Sequence, residues 1–127
     1  MLDKLYDYFD NAIGDVNKDG NTLNVGLYGN FGDVELFLDF DKNEFTVTGK
    51  VDESQYCSIF MIDEDEIDYD DLEAWNTTNV YSDINQALDR AQEIVDAYLS
   101  ESDGSDIFED IDDCETIFTD AKNVIKS

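Results

Sequence analysis

The side chains with the clearest chemical potential lie in an acidic run, residues 63–73, whose sequence is DEDEIDYDDLE. Eight of these eleven residues are Asp or Glu, and none is Lys or Arg. Like charges at this density repel one another and enter an apolar core only at a large desolvation cost, so we expect the run in solvent. Its carboxylates suit hard cations or a positively charged protein surface. The run therefore indicates a class of partner, a cationic surface.

Cation binding by the run is the first alternative. Clustered oxygen ligands can collect Ca²⁺ or Mg²⁺, and the candidates are Asp63, Asp65, Asp68, Asp70 and Asp71. Loose counterion binding without fixed geometry is the preferred interpretation, and we expect no metal site and no cofactor.

Residues 14–20, GDVNKDG, contain a second pattern that suits a cation. From Asp15, oxygen-bearing side chains stand at positions 1, 3 and 5 and glycine at position 6, as in the opening of a calcium loop. With the preceding glycine, the segment also resembles the start of a dockerin repeat. Position 12, which needs an acid, is Gly26, and the following residues alternate like a strand. We expect a turn built from Asp, Asn and Gly, with weak cation binding as the alternative.

The residue types of the chain give little support for a catalytic site. The chain has no histidine, which removes Ser–His and Cys–His nucleophilic sites and histidine metal ligation. It has no P-loop and no glycine-rich dinucleotide loop. Its 33 acids produce chance carboxylate pairs everywhere, so no single pair indicates a glycosidase-type site. We expect a protein that is not an enzyme.

Composition and charge indicate a folded acidic domain. The 127 residues are 42% apolar, with eight Phe and seven Tyr, and carry a formal charge of -26. A chain this apolar can bury a core, and its length suits one domain, residues 1–127. Residues 51–121 contain 23 acids and one base, Arg90, whereas residues 1–50 contain ten acids and four lysines. Nucleic acid and anionic membrane would be repelled by this field.

Cysteine usage and the N-terminus favour a cytoplasmic protein. Cys57 and Cys114 fall in apolar patterns and are expected to be buried free thiols. Residues 1–4 have neither the basic nor the apolar region of a signal peptide. No apolar run approaches the length of a transmembrane helix.

Apolar periodicity predicts the elements that hold these acids. Residues 2–13 have the spacing of an amphipathic helix. Alternation in residues 23–28, 34–40 and 45–51 predicts three strands joined by short turns, and the apolar residues 56–62 predict a fourth.

The remaining elements complete an α+β fold. Within the acidic run, Ile67, Leu72 and Trp75 are suited to pin a short helix to the body, and residues 76–79 are expected to form a loop. Apolar stripes predict one helix over about residues 83–100 and another from about residue 107 to the C-terminus. The fold class is an N-terminal helix, an antiparallel three- to four-stranded meander and two C-terminal helices packed on one face of the sheet.

Acids on the two C-terminal helices extend the candidate surface. Residues three or four apart on a helix have Cβ atoms roughly 5–6 Å apart, so such acids form ordered rows that suit a groove lined by Lys and Arg. Tyr69 and Trp75 are candidates for contact with the partner, with burial under the run as the equal alternative for both. The predicted partner-binding residues are Asp63, Glu64, Asp65, Glu66, Asp68, Tyr69, Asp70, Asp71, Glu73, Asp89, Glu93, Asp96, Asp106, Glu109, Asp110 and Asp113.

In composition, size and order of elements, the chain resembles small phage-encoded DNA mimics and acidic anti-CRISPR inhibitors. The resemblance covers the whole chain, rests on no motif, and transfers no functional residue. It implies an inhibitor in the host-cell cytoplasm that occupies a nucleic-acid site, often a PAM-reading or DNA-binding cleft, of a bacterial defence enzyme. The expected partner is thus a basic nucleic-acid-binding protein such as a nuclease or defence complex.

Three other functions remain open at this point. An immunity or antitoxin-like protein that neutralises a basic toxin would use the same electrostatics against another target. A halophilic domain would carry its acids to solvate the surface, although the acids here vary sharply in density along the chain. A cation-binding module is the third alternative.

Overall fold

The computed structural model describes residues 1–101 and 115–126, and these residues form an α+β fold. Within these described residues, five strands and five α-helices follow one another, with one 3₁₀ turn between α2 and α3. Their bounds are α1 Leu2–Ala12, β1 Val16–Asp19, β2 Thr22–Tyr28, β3 Asp33–Asp39, β4 Glu44–Lys50, α2 Glu53–Phe60, the 3₁₀ turn Glu64–Glu66, α3 Tyr69–Ala74, β5 Thr77–Tyr81, α4 Ile84–Glu101 and α5 Ile117–Lys126.

The strands form one antiparallel meander in the order β1-β2-β3-β4-β5. Side chains alternate between two faces because successive residues of a strand point in opposite directions. One face, the inner face, is the apolar one, and the registers Leu23↔Leu38 and Leu38↔Phe45 show how its residues line up across strands. The inner-face residues that are buried are Leu23, Val25, Leu27, Val34, Leu36, Leu38, Phe45 and Val47.

Helices cover the inner face of the sheet. The long helix α4 packs across β3, β4 and β5, α1 packs against β1 and β2, and α5 contacts both α1 and α4. The apolar stripe predicted for residues 83–100 is buried in α4 as expected. Buried Gln92 joins the two C-terminal helices, since its Oε1 accepts a hydrogen bond from the backbone N–H of Phe118 at 2.9 Å. The predicted fold class and the position of these helices are confirmed for the described residues.

The sheet has five strands rather than three or four, and two predicted connections are strands. Residues 76–79 were expected as a loop, but Thr77–Tyr81 is the edge strand β5, paired with β4. The calcium-loop pattern was expected to be a turn, but Val16–Asp19 is the opposite edge strand, and only Gly20 and Asn21 form the turn to β2. Asn17 and Asp19 lie along this extended strand and Asp15 lies just before it, so the three oxygen-bearing residues do not converge as they do in a calcium loop.

The predicted fourth strand, residues 56–62, is wrong, because this segment is largely helix α2. Asp52 accepts a hydrogen bond from the backbone N–H of Gln55, and the Gln55 side chain accepts one from the backbone N–H of Asp52. This capping box starts a helix and satisfies two amides that a strand would leave to other partners. Within α2, Tyr56 and Ile59 are buried at helical spacing.

Helix α5 begins at Ile117 within the described residues, whereas the sequence predicted a helix from about residue 107. The acids Asp106, Glu109, Asp110 and Asp113, and the cysteine Cys114, lie outside the described residues. The remaining cysteine, Cys57, is a free and half-buried thiol.

Candidate partner-binding surface

The acidic run is folded against the body by apolar side chains. It begins with the 3₁₀ turn Glu64–Glu66 and continues into α3. Between these two elements Ile67 is buried, and Leu72 in α3 is half-buried against the core. The sequence-based expectation that apolar residues pin a short helix is therefore confirmed.

An aromatic stack supports the C-terminal end of the run. Trp75 stacks on Tyr98 of α4 with ring centroids 5.9 Å apart and an interplanar angle of 23°. Phe60 of α2 packs against Trp75 in a T-shaped arrangement, with ring centroids 6.3 Å apart. The Trp75 side chain is half-buried in this arrangement, and its contact with the partner stays a prediction.

Tyr98 is fixed in turn by the β2–β3 connection. Its hydroxyl donates to the carbonyl oxygen of Asp33 at 3.1 Å, and its ring lies over Gly32. A Cβ atom at Gly32 would stand 2.4 Å from the Tyr98 ring, so only glycine leaves room there. Tyr98, at the base of the stack, is thus a core residue, and the half-buried Trp75 and Phe60 pack against that core.

Two acids of the run have structural hydrogen bonds. The Asp68 carboxylate caps α3 by accepting from the backbone N–H groups of Asp70 at 3.1 Å and Asp71 at 3.3 Å. The Asp71 carboxylate accepts from the Tyr56 hydroxyl at 2.9 Å. Burial and this hydrogen bond raise the pKa of Tyr56, in that order of importance. These roles were missed at the level of sequence, although Asp68 before an acidic first turn is a recognisable N-cap signal.

The acidic side chains of the run face solvent. All eight of its Asp and Glu side chains are exposed. Across residues 1–101 and 115–126, the ion pairs formed by Lys and Arg all lie elsewhere, so no acid of the run has a cationic partner there. Tyr69 is 58% exposed at the centre of this surface. The structure therefore brings these nine predicted residues together in one solvent-facing segment.

The predicted acids of α4, here called the α4 row, are Asp89, Glu93 and Asp96. They are exposed, but each has a partner. Lys122 of α5 lies 2.6 Å from Asp89, and Arg90 lies 3.2 Å from Glu93.

The third acid of the row, Asp96, accepts from the side-chain amide of Gln92 at 3.0 Å. Arg90 also donates to the side chains of Asn79 and Thr77 on β5, which ties the α4 row to the sheet edge. Two of the three charges of the row are thus compensated locally.

The segment that directly follows the run, residues 74–77, and α4 line a small cavity of about 170 Å³. Trp75, Arg90 and Glu93 are among its lining residues. Glu93 is therefore the member of the row that lies beside the segment following the run.

The surface offers electrostatic recognition. In the part of the chain that the structure describes, no group of three or more acidic or cysteine side chains has the arrangement of a metal site. The pKa of the nearby Cys57 thiol is raised, first by burial of the thiol and then by the negative charges of Glu64 and Asp63. No helix among the described residues has the length and apolar character needed to cross a bilayer.

Comparisons of the chain with protein-family models, with curated proteins and with solved structures found no match.

Proposed function

We propose that this protein binds the basic nucleic-acid-binding surface of another protein and excludes DNA or RNA from it. The observation that carries the proposal is the acidic run, where eight exposed carboxylates have no cationic partner among the described residues. The likeness in composition and element order to phage-encoded DNA mimics and anti-CRISPR inhibitors supports a nuclease or defence complex as the partner.

A carboxylate surface suits a site that evolved for phosphate. Lys and Arg bind both groups through charge-assisted hydrogen bonds, and Arg binds either one with two parallel N–H donors. A net charge of -26 also raises the rate at which a basic partner is met in solution. These two effects make a folded acidic protein an effective competitor of nucleic acid.

Order in the run contributes to affinity. A disordered acidic tail would lose conformational entropy on binding, whereas a run fixed by Ile67, Leu72 and the Trp75 stack has already lost it. Tyr69 adds a large exposed aromatic side chain at the centre of the surface, and Tyr is among the residues that contribute most to interfaces.

The test is competition on the captured partner. The tagged protein is used as bait in host lysate, and the captured protein is then titrated with labelled DNA or RNA in the presence and absence of the bait, at two salt concentrations. The proposal predicts mutually exclusive binding and an affinity that falls steeply with salt, as for a polyanion. Simultaneous binding of bait and nucleic acid without mutual effect would overturn mimicry in favour of an inhibitor or immunity protein that acts at another site.

A further inference from the structure

The sheet has a second face, called here the open face, that no described helix covers. Its residues alternate with the buried ones along each strand, and they are mostly polar. Three large apolar side chains nevertheless stand in solvent on it, and these are Tyr28 at 57% exposure, Phe37 at 43% and Val80 at 57%. Two of the three, Tyr28 and Phe37, lie on neighbouring strands and line one groove, so they are not isolated exposed residues.

The aromatic rings of Tyr28 and Phe37 line a groove of about 190 Å³ across β2, β3 and β4. Drug-sized ligand pockets have volumes of about 300–1,000 Å³, so this groove suits a single long side chain. Its rim carries two carboxylates, Asp15 and Glu35, while the remaining polar lining consists of Asn and Thr side chains. The groove therefore combines π faces, negative charge and neutral hydrogen-bond acceptors.

Gly26 shapes the groove by leaving space for a ring. The Tyr28 side chain lies back along β2 over Gly26, where an added Cβ would stand 2.6 Å from the ring and hydroxyl of Tyr28. Partial burial, and after it the charges of Glu35 and Asp15, raise the pKa of the Tyr28 hydroxyl. The ring is thus held as a neutral wall of the groove beside the carboxylates.

The charge around the groove is unequal on its two sides. Lys50 pairs with Glu35 at 3.0 Å and compensates that carboxylate. Asp15 is exposed and has no ion pair with Lys or Arg in residues 1–101 and 115–126. A cation that enters the groove is therefore attracted most strongly at Asp15, where the negative charge is uncompensated.

We propose that this groove binds an arginine side chain of the basic partner, with the guanidinium plane against Phe37 and Tyr28 and its donors toward Asp15. Arginine is the cation that combines a flat face for stacking with five N–H donors for the surrounding oxygens. A second copy of this chain is disfavoured by charge, because both copies carry -26. The identity of the partner rests on the proposed function, whereas the preference of the groove for arginine does not.

A peptide probe tests the groove without the partner. Acetyl-Gly-Arg-Gly-amide is titrated into the ¹⁵N-labelled full chain and compared with the citrulline peptide, which has nearly the same shape without the charge. The expected result is saturable shifts of the backbone amides of Gly26, Tyr28 and Phe37, with the citrulline peptide about tenfold weaker at these positions. Equal responses to the two peptides would overturn the proposal.

Matched variants locate the site. Phe37→Leu keeps an apolar residue on the strand but removes the π face, and Asp15→Asn removes the charge but keeps the size. Each is expected to weaken the groove response several-fold, whereas Val80→Ala, on the same face outside the groove lining, leaves it unchanged. An arginine response confined to the acidic run, or one insensitive to Phe37→Leu, would contradict the groove and leave the proposed function standing. Failed competition with nucleic acid would instead contradict the proposed function and leave a positive peptide result standing.

Discussion

The acidic run and the α4 row are both exposed and both acidic, yet they differ in pairing. In the row, Asp89 and Glu93 have Lys122 and Arg90 as partners at 2.6 and 3.2 Å. In the run, the side-chain hydrogen bonds among the described residues involve only the carboxylates of Asp68 and Asp71, and no described cation compensates any of its eight acids. Acid count is therefore a poor measure of a binding surface, because the charge that remains after internal pairing is what a partner meets.

The largest expected effect comes from charge reversal in the run. Asp63→Lys, Asp65→Lys and Glu73→Lys, made together, change acids that have no side-chain hydrogen bond among the described residues and so spare the cap and the Tyr56 contact. Exposed pairs contribute roughly 0–1 kcal/mol each, so the triple variant should weaken partner binding by about 100-fold. Affinity for the captured partner is the measurement.

The matched control reverses the α4 row with the same change in net charge. Asp89→Lys, Glu93→Lys and Asp96→Lys should weaken partner binding by about tenfold or less, because two of these charges are already compensated. Circular dichroism melting of both variants separates binding from folding. Equal losses in the two folded variants would mean that net charge alone governs recognition.

Loss of the anchor under the run tests whether order matters. Ile67→Ala removes a buried side chain that holds the run while leaving all eight acids in place. We expect a loss of about 2 kcal/mol in the free energy of unfolding. Faster amide hydrogen exchange in residues 63–73 and weaker partner binding should accompany it. Unchanged affinity in a variant with a mobile run would show that an ordered surface is not required.

Two substitutions at Asp68 distinguish the contribution of its helix cap from that of its charge. Asp68→Ala loses the carboxylate that accepts from two backbone N–H groups of α3 and should destabilise the protein by about 1 kcal/mol. Asp68→Asn keeps a capping oxygen, removes the same charge and should cost only a few tenths of a kcal/mol. Denaturant unfolding of both variants is the check, and equal losses would argue against the cap.

The smallest expected effect is that of salt on the melting midpoint, and this effect should depend on the acids of the run. From about 10 to about 500 mM NaCl the melting midpoint should rise, because ions screen repulsion between unpaired charges over roughly 10 Å at 0.1 M. Neutralising Asp63, Asp65 and Glu73 as Asn, Asn and Gln should flatten this rise. Replacing Asp89, Glu93 and Asp96 by Asn, Gln and Asn should flatten the rise less. These changes remove the attraction of two ion pairs together with the repulsion between acids.

The fold was largely predictable because its elements have clear apolar periods. The stripe of α4 and the alternation of β2, β3 and β4 specify which side faces the core. The segment at residues 56–62 was misassigned because a short apolar run fits a strand or a helix equally, and the capping box at Asp52 decides for a helix. Strand β5 was missed because two of its three inward residues, Thr77 and Asn79, are polar and contact Arg90 rather than an apolar core.

The site was predictable in part. Exposure of the acidic run follows from its charge density alone. The Arg90–Glu93 pair has the i,i+3 spacing of a helical ion pair and was visible in the sequence. The Lys122–Asp89 pair joins residues that are 33 positions apart, so it requires the packing of α5 on α4. The open-face groove depends on strand register, which places Tyr28 and Phe37 on neighbouring strands.

The contrast in pairing can be measured directly on the free protein. Small nitroxide cosolutes that carry either a positive or a negative charge enhance the relaxation of nearby amide protons according to the local surface potential. The ratio of the cationic to the anionic effect should be clearly larger at residues 63–73 than at residues 89–96. An equal or smaller ratio at the run would contradict the claim that it is the uncompensated acidic surface of this protein.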